Sequence, residues 1–115
     1  MLKPKRVYEG VSPADGIRVL VDRLWPRGIT RDEAALDQWL KEIAPSDRLR
    51  RWFSHDPSKW EEFKKRYKAE LKTKTELVEE LKEASRKHTV TLLYASADTE
   101  HNNAVALTEI LTNSG

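Results

Sequence analysis

Two apolar runs that each end in polar residues constrain the fold of this chain most. The first run covers residues 17–22 and leads into Arg23-Leu24-Trp25-Pro26-Arg27-Gly28, and the second covers residues 88–95 and leads into a polar stretch that ends at Asn103. The first is nearly continuous in apolar character, which is typical of a strand covered on both faces of a parallel sheet, and the second is an apolar, strand-like run. The long helical segment between them predicts a right-handed crossover, so both polar loops should leave the same edge of the sheet.

Two segments nearer the amino terminus complete the predicted sheet and open the helical region. Residues 6–9 predict a short first strand, and the brief turn-rich connection to the next strand leaves a hairpin open. Thr30 and Glu33 form a capping-box pattern. The apolar stripe that follows predicts one helix ended by Pro45, its spacing being i, i+3, i+4, i+7 at Leu36, Trp39, Leu40 and Ile43.

Further cap signals divide the rest of the chain into helices. Ser46 is placed to cap a second helix, and Asp56-Pro57 is a start signal for a third. Thr73 and Glu76 predict the start of a fourth, unless the third and fourth run on with a kink near residues 72–74. Residues 103–111 predict a final helix, and residues 113–115 a frayed end. The pattern indicates an α/β domain with a mostly parallel three-stranded sheet and four to five helices.

Size and composition place the chain among folded proteins of the cytoplasm. Its 115 residues fit one domain, 1–115, and four Trp, three Tyr and two Phe supply large apolar side chains. The chain has no cysteine, which excludes disulfides, a catalytic thiol and thiolate metal ligands. No secretory or membrane-spanning segment is recognisable, so we expect a cytoplasmic protein without a membrane partner.

The loop after the first long strand carries candidate anion ligands. Arg23 and Arg27 present guanidinium groups that can grip a phosphate or carboxylate through paired hydrogen bonds. Asp22 is placed to orient an arginine or to accept a proton. The alternative is a salt bridge between Asp22 and an arginine that only holds the loop, with Trp25 in the core.

The loop before the last helix carries the second group of candidates. His101 suits acid or base catalysis near neutral pH, Asp98 suits orienting it or activating water, and Asn102 and Asn103 suit donating hydrogen bonds. The helix N-terminus that follows favours an anion. The alternative is that these residues cap the helix. His55 is a further ligand candidate, or else a surface histidine whose neighbour Asp56 caps a helix.

A metal site and a cofactor site have little support in the sequence. The side chains that a metal would recruit, Asp22, His55, Asp98 and His101, are dispersed, and no compact ligand pair is present. We therefore predict no metal. Walker and dinucleotide-binding glycine patterns are absent as well, so no cofactor is assigned.

A basic segment supports a different function. From Arg48 to Lys74 there are ten Lys or Arg and four Asp or Glu, whereas the whole chain has a net charge of only +2. A basic helical face can bind nucleic acid. The alternative is a solvated helix face, because Glu61 and Glu62 stand four residues before Lys65 and Arg66, the favourable order for ion pairs.

The chain resembles the YeaO-like bacterial family, a domain of unknown function numbered 488. The matching segments are Val21-Asp22-Arg23-Leu24-Trp25-Pro26-Arg27-Gly28, Trp39 to Ser46, Trp52-Phe53-Ser54-His55-Asp56-Pro57 with Trp60, and Leu92 through Val105. The resemblance implies a small three-layer α/β domain and brings no reaction with it. The wider superfamily tends to carry a Cys-His-Arg pattern after the last strand, whereas here His101 is followed by two asparagines, so thiol chemistry does not transfer.

Two functions of different classes follow. The leading hypothesis is that an anionic, nucleotide-like small molecule binds between the two polar loops and undergoes hydrolysis or group transfer. Asp22, Asp98 and His101 would be catalytic, and Arg23, Arg27, His55, Asn102 and Asn103 would bind the ligand. The alternative is a non-enzymatic module whose basic helical face binds nucleic acid or a protein.

Overall fold

The computed structural model describes residues 1–113 as helices packed around a four-stranded sheet. The strands are β1 Leu2–Arg6, β2 Ile17–Leu20, β3 Gln38–Trp39 and β4 Val90–Tyr94. The α-helices are α1 Arg31–Ala34, α2 Asp47–Phe53, α3 Trp60–Leu71, α4 Thr75–Lys87 and α5 Asn103–Asn113. The predicted α/β class is confirmed, and the sheet has one short strand more than predicted.

All strand pairs in the sheet are parallel, in the order β1-β4-β2-β3. Strand β4 is central, so Leu92 pairs with Pro4 on one side and with Val19 on the other. The hairpin that the sequence left open between the first two strands does not form, because β4 lies between them. All five residues of β4 are buried, which requires neighbours along both edges and cover on both faces.

Apolar side chains of the sheet are buried on both of its faces. On one face, Val19 and Leu92 join the larger core, to which α2, α3, α4 and α5 all contribute. On the other face, Leu20 and Leu93 join a smaller cluster with α1 and with Trp25. Alternate residues of β2 and β4 therefore enter opposite layers, as the period of a strand requires.

The prediction of one long helix after Thr30 is wrong. Its capping box forms, but α1 ends after one turn, where Ala35 adopts a left-handed φ of 45°. The chain then pairs with the open edge of β2 as β3, with Leu40 donating its backbone N–H to the carbonyl of Leu20. Trp39 packs edge-to-face on Trp25 at 5.4 Å. Part of an apolar stripe with helical spacing thus forms strand β3, because pairing with the edge of β2 outweighs the local sequence pattern.

Other predicted boundaries hold in part. Ser46 caps α2, and Asp56 caps the 3-10 turn that leads into α3. The first strand lies earlier than residues 6–9, where the chain forms a 3-10 turn instead. The capping box at Thr73 is absent, since its hydroxyl donates to the carbonyl of Glu70, and α3 and α4 are separate helices. Of the predicted frayed end, Asn113 is helical, and residues 114–115 lie outside the described part.

Within residues 1–113, no helix combines the length and the apolar character that crossing a membrane requires.

The turn before β2 is fixed to the start of β4 by close contacts. The side chain of buried Asp15 accepts hydrogen bonds from Lys5 and Arg18, and its carbonyl accepts one from the Thr91 hydroxyl. Gly16 follows with a φ of 62°, and a Cβ atom there would lie 2.2 Å from the carbonyl oxygen of Thr89. Only glycine combines this conformation with this approach.

We expect Gly16→Ala to destabilise the protein by about 3 kcal/mol or more, because left-handed strain and a backbone clash add together. Gly28→Ala is the matched control, since Gly28 also has a positive φ of 74° but open space around it. Its cost should be about 1–2 kcal/mol. Chemical denaturation of both variants measures the difference, and equal losses would contradict the role of the clash.

Candidate functional site

A cavity of about 470 Å³ opens beyond the carboxyl ends of β2 and β4, within the range typical of small-molecule sites. Both polar loops that follow these strands contribute to its wall. Seven of the eight residues that the sequence singled out line the cavity: Asp22, Arg23, Arg27, His55, His101, Asn102 and Asn103. The eighth, Asp98, lies behind them and contacts His101.

Asp22 joins the two loops. One oxygen of its carboxylate accepts the backbone N–H of Ala95 at 2.9 Å, and the other accepts the side-chain amide of Asn103 at 3.0 Å. Burial raises the pKa of Asp22, although these two hydrogen bonds act in the opposite direction. Within residues 1–113 Asp22 forms no ion pair, so the predicted alternative of a salt bridge to Arg23 or Arg27 is not the arrangement found.

His101 is held by two neighbours. Its Nδ1 lies 3.0 Å from Oδ2 of Asp98, and its ring meets the Trp60 ring edge-to-face at 5.3 Å. The backbone N–H groups of Glu100 and His101 donate to Asp98 and hold the pKa of that carboxyl below its usual range. Nε2 of His101 has no hydrogen-bond partner in the described part of the chain. When Nδ1–H donates to Asp98, Nε2 of the neutral ring is a hydrogen-bond acceptor. Its orientation is set by the contacts of the ring with Asp98 and Trp60.

The two asparagines are occupied by the fold. The Asn102 side chain accepts the N–H of Val105 at 2.9 Å and donates to the carbonyl of Asp98 at 2.9 Å. The Asn103 side chain donates to Asp22 and, at 2.9 Å, to the carbonyl of Val21. The capping alternative accordingly describes Asn102, and Asn103 positions the carboxylate of Asp22.

The arginines retain donors that the protein does not use. Arg23 contacts the carbonyls of Ala44 and Pro45 only at 3.4 and 3.5 Å. Its Nε is the one buried side-chain nitrogen or oxygen of the described residues without a hydrogen-bond partner. The Arg27 side chain is exposed and forms no ion pair within residues 1–113, while its carbonyl accepts a 2.7 Å hydrogen bond from the Tyr8 hydroxyl.

A family model described as "Inactive DUF488-N3 subclade" matches residues 1–114. The chain belongs to the DUF488-N3i family. The resemblance to YeaO-like proteins is thereby confirmed. The uncharacterised protein YeaO of Escherichia coli K12 is 42% identical over 107 residues, with 93% of each chain covered.

Two mycobacterial proteins are similar to this chain to nearly the same degree as YeaO. The uncharacterised protein Rv3073c of Mycobacterium tuberculosis is 41% identical over 106 residues, which cover 92% of this chain and 89% of that one. The uncharacterised protein Mb3100c of Mycobacterium bovis has the same identity and coverage. No solved structure gives a significant match.

His55 lies at the cavity wall, in a turn with an unusual backbone conformation. Ser54 and His55 both adopt left-handed backbone conformations, with φ of 47° and 56°, directly after α2. This pair reverses the chain and places the exposed His55 at the cavity wall. Asp56 then caps the following turn, as the alternative predicted, and His55 as a ligand stays a prediction.

Several residues of the cavity wall were not predicted from the sequence. Arg50 lies there together with Phe53, and their i, i+3 spacing on α2 was a signal that could have found it. Tyr8 lies there too, and nothing in the sequence distinguishes it. Within residues 1–113 no group of three or more His, Asp or Glu side chains is close enough to hold a metal ion.

We expect Asp22→Asn to destabilise the protein by about 1–2 kcal/mol, because an amide cannot accept from both Ala95 and Asn103 through two oxygens. The raised pKa gives a second signature. A carboxyl whose pKa is raised on folding stabilises the native state less as pH rises.

The measurement is the unfolding free energy of both proteins between about pH 4 and pH 7. The advantage of the wild type over Asp22→Asn should shrink with rising pH, because only the wild type titrates at this position. Asn113→Ala, at the exposed end of α5, is a control without this pH dependence. An advantage that grows with pH would contradict a raised pKa.

Proposed function

We propose that this protein binds a small anion with a flat apolar ring, such as a nucleotide, in the cavity beyond β2 and β4, and binds it without turnover. The observation that carries the proposal is the unpartnered buried Nε of Arg23 beside the unpaired side chain of Arg27. Buried donors in native proteins nearly always have a partner. An anionic ligand supplies acceptor oxygens for both guanidinium groups.

Charge at the cavity favours an anion. Arg23, Arg27 and Arg50 all line the wall, and within residues 1–113 only Arg50 contacts an acid, the exposed Asp47 at 3.4 Å. Among the described residues Asp22 is the one carboxylate in the wall, and burial raises its pKa, which reduces its preference for the negative form. The excess of cationic groups lowers the energy of an anion there.

The position of Arg27 is fixed although its side chain is exposed. The Tyr8 hydroxyl holds its carbonyl at 2.7 Å, and the indole N–H of Trp25 donates to the carbonyl of Ile29 at 2.8 Å. These bonds order the loop that carries the guanidinium. An ordered loop loses less conformational entropy when the ligand binds.

The rest of the wall favours a ring. Leu24 lines the cavity with 67% of its surface exposed, half-buried Trp25 lies in the wall with it, and buried apolar side chains form the floor behind them. These buried residues are Pro26, Phe53 and Phe63. An inorganic anion would leave this apolar surface uncovered, whereas a nucleobase covers it.

Binding without turnover agrees with how the polar groups are used. Both oxygens of Asp22 accept hydrogen bonds from the protein, and so do those of Asp98, which leaves no free carboxylate to activate water. The chain has no thiol, and the matching family model carries the word "Inactive" in its description. His101 Nε2 then accepts a hydrogen bond from a hydroxyl or N–H group of the ligand and takes part in no proton-transfer step.

The test is calorimetric titration with adenosine and guanosine monophosphate, with adenosine and inorganic phosphate as partial ligands. We expect the monophosphates to bind more tightly than either partial ligand, because only they engage ring and arginines together. Arg27→Ala should weaken monophosphate binding about tenfold, the value of one charged hydrogen bond. His101→Ala should weaken it by a smaller factor.

Arg86→Ala is the matched control, since Arg86 is an exposed arginine on α4 outside the cavity wall. It should leave the affinity unchanged. Equal binding of monophosphates by wild type, Arg27→Ala and His101→Ala would reject this placement of the ligand. Release of base or phosphate during incubation, followed by chromatography, would contradict binding without turnover.

A further inference from the structure

We infer that the nucleotide in the cavity is part of a single-stranded nucleic acid, whose neighbouring phosphates lie on a basic surface formed by α2 and α3. The basic surface consists of Arg48, Arg51, Lys59 and Arg66 around Trp52. The inference rests on the proposed function, because it names the molecule that carries the nucleotide into the cavity.

Helix α2 links the cavity to the basic surface. Successive residues of an α-helix point about 100° apart, so Arg50 and Phe53 share the side that lines the cavity. Arg48, Arg51 and Trp52 project from the other side of the same two turns. A strand that leaves the cavity past Arg50 therefore meets the basic surface within one or two nucleotides.

Trp52 is the centre of the basic surface. The guanidinium of Arg66 lies 4.0 Å from the centre of its ring, and Nζ of Lys59 lies 5.1 Å from it. Lys59 also donates to the Trp52 carbonyl at 2.9 Å. Stacking holds a guanidinium flat and leaves its N–H edge free for phosphate oxygens, so Arg66 is ordered for binding before the ligand arrives.

The cations of the basic surface form no ion pairs with acids in the described residues, although the Asp56 carboxylate attracts Lys59 electrostatically. Within residues 1–113 Arg48, Lys59 and Arg66 form no ion pair, and Arg51 only donates to the carbonyl of Asp47 at 3.4 Å. Of the predicted alternative, the solvated face agrees with the exposure of Lys65 and Arg66, but Glu61 and Glu62 do not pair with them in the described residues. Glu61 pairs with Lys64, which Glu109 also contacts, and Glu62 forms no ion pair.

Charge distribution favours a polymer over a free nucleotide. Residues 48–74 hold an excess of six positive charges in a chain whose net charge is +2, so acidic residues predominate elsewhere. A mononucleotide uses only the arginines of the cavity. A series of backbone phosphates uses the basic surface as well, and each contact releases counterions.

The cavity determines the kind of strand. A base can cover the exposed Leu24 side chain in the cavity only if it is unpaired and unstacked, because a duplex keeps its bases inside the helix. Single strands provide such bases at little cost. A duplex would have to open first.

The experiment is fluorescence anisotropy with a labelled 12-nucleotide single-stranded DNA and RNA of mixed sequence, their duplex forms, and a glutamate peptide of equal charge. We expect a single strand to bind at least about tenfold more tightly than adenosine monophosphate at about 50 mM salt, with a steep salt dependence. The duplexes and the peptide should bind more weakly.

The deciding variant is Arg48→Ala/Arg51→Ala, which alters the basic surface but no cavity residue. It should reduce the slope of log affinity against log salt by about 1.4, since each phosphate contact on a single strand contributes about 0.7. Its affinity for adenosine monophosphate should stay unchanged. Arg86→Ala/Lys87→Ala removes the same charge from α4, where Glu79, Glu80 and Glu83 are exposed, and should leave the slope unchanged.

Distinct results separate the two proposals. A single strand that binds no more tightly than the mononucleotide, or equal slopes for both double variants and the wild type, would overturn the inference and leave the proposed function intact. Equal binding of duplex or peptide would overturn the assignment to a single strand. If Arg27→Ala weakened the binding of no nucleotide, that result would instead overturn the proposed function. Thermal unfolding verifies that each variant is folded.

Discussion

The parallel pairing of β2 with β4 is the constraint on which the cavity depends. It brings two loops that are distant in sequence to one edge of the sheet, and the Val21 N–H extends the pairing by donating to the carbonyl of Leu93 at 3.1 Å. Asp22 then joins both loops through Ala95 and Asn103. Because β4 is paired on both edges, neither loop can shift without breaking sheet hydrogen bonds.

Buried Asp22 shows how the fold uses charge at this edge. Removal from water disfavours its ionised form, and two donated hydrogen bonds offset part of that cost. The same bonds keep the carboxylate from Arg23 and Arg27. The arginines consequently retain donors for a ligand, while the one acid in the cavity wall serves the structure.

The polar groups of the site therefore divide by their partners. Asp22, Asn102 and Asn103 are saturated by the protein, whereas Arg23, Arg27 and the Nε2 of His101 are not. In the function that we propose, groups of the second kind bind the ligand, and groups of the first kind determine where it lies.

Much of this arrangement follows from local sequence. Continuous apolar runs with polar ends identified β2, β4 and both cavity loops, and the cap residues Ser46 and Asp56 marked helix starts, because these features depend on near neighbours alone. Other features required the folded chain. Trp39 joined a strand because the edge of β2 was open to it, and Lys64 pairs with Glu109 because α5 packs beside α3.

The sequence by itself thus determined the fold class, the central strands and the loops that meet at their ends. Only the tertiary structure decided which polar side chains of those loops are occupied and which are free. The physical reason is that hydrogen-bond partners such as Asp22 and Asn103 come from segments far apart in sequence, so their saturation depends on packing.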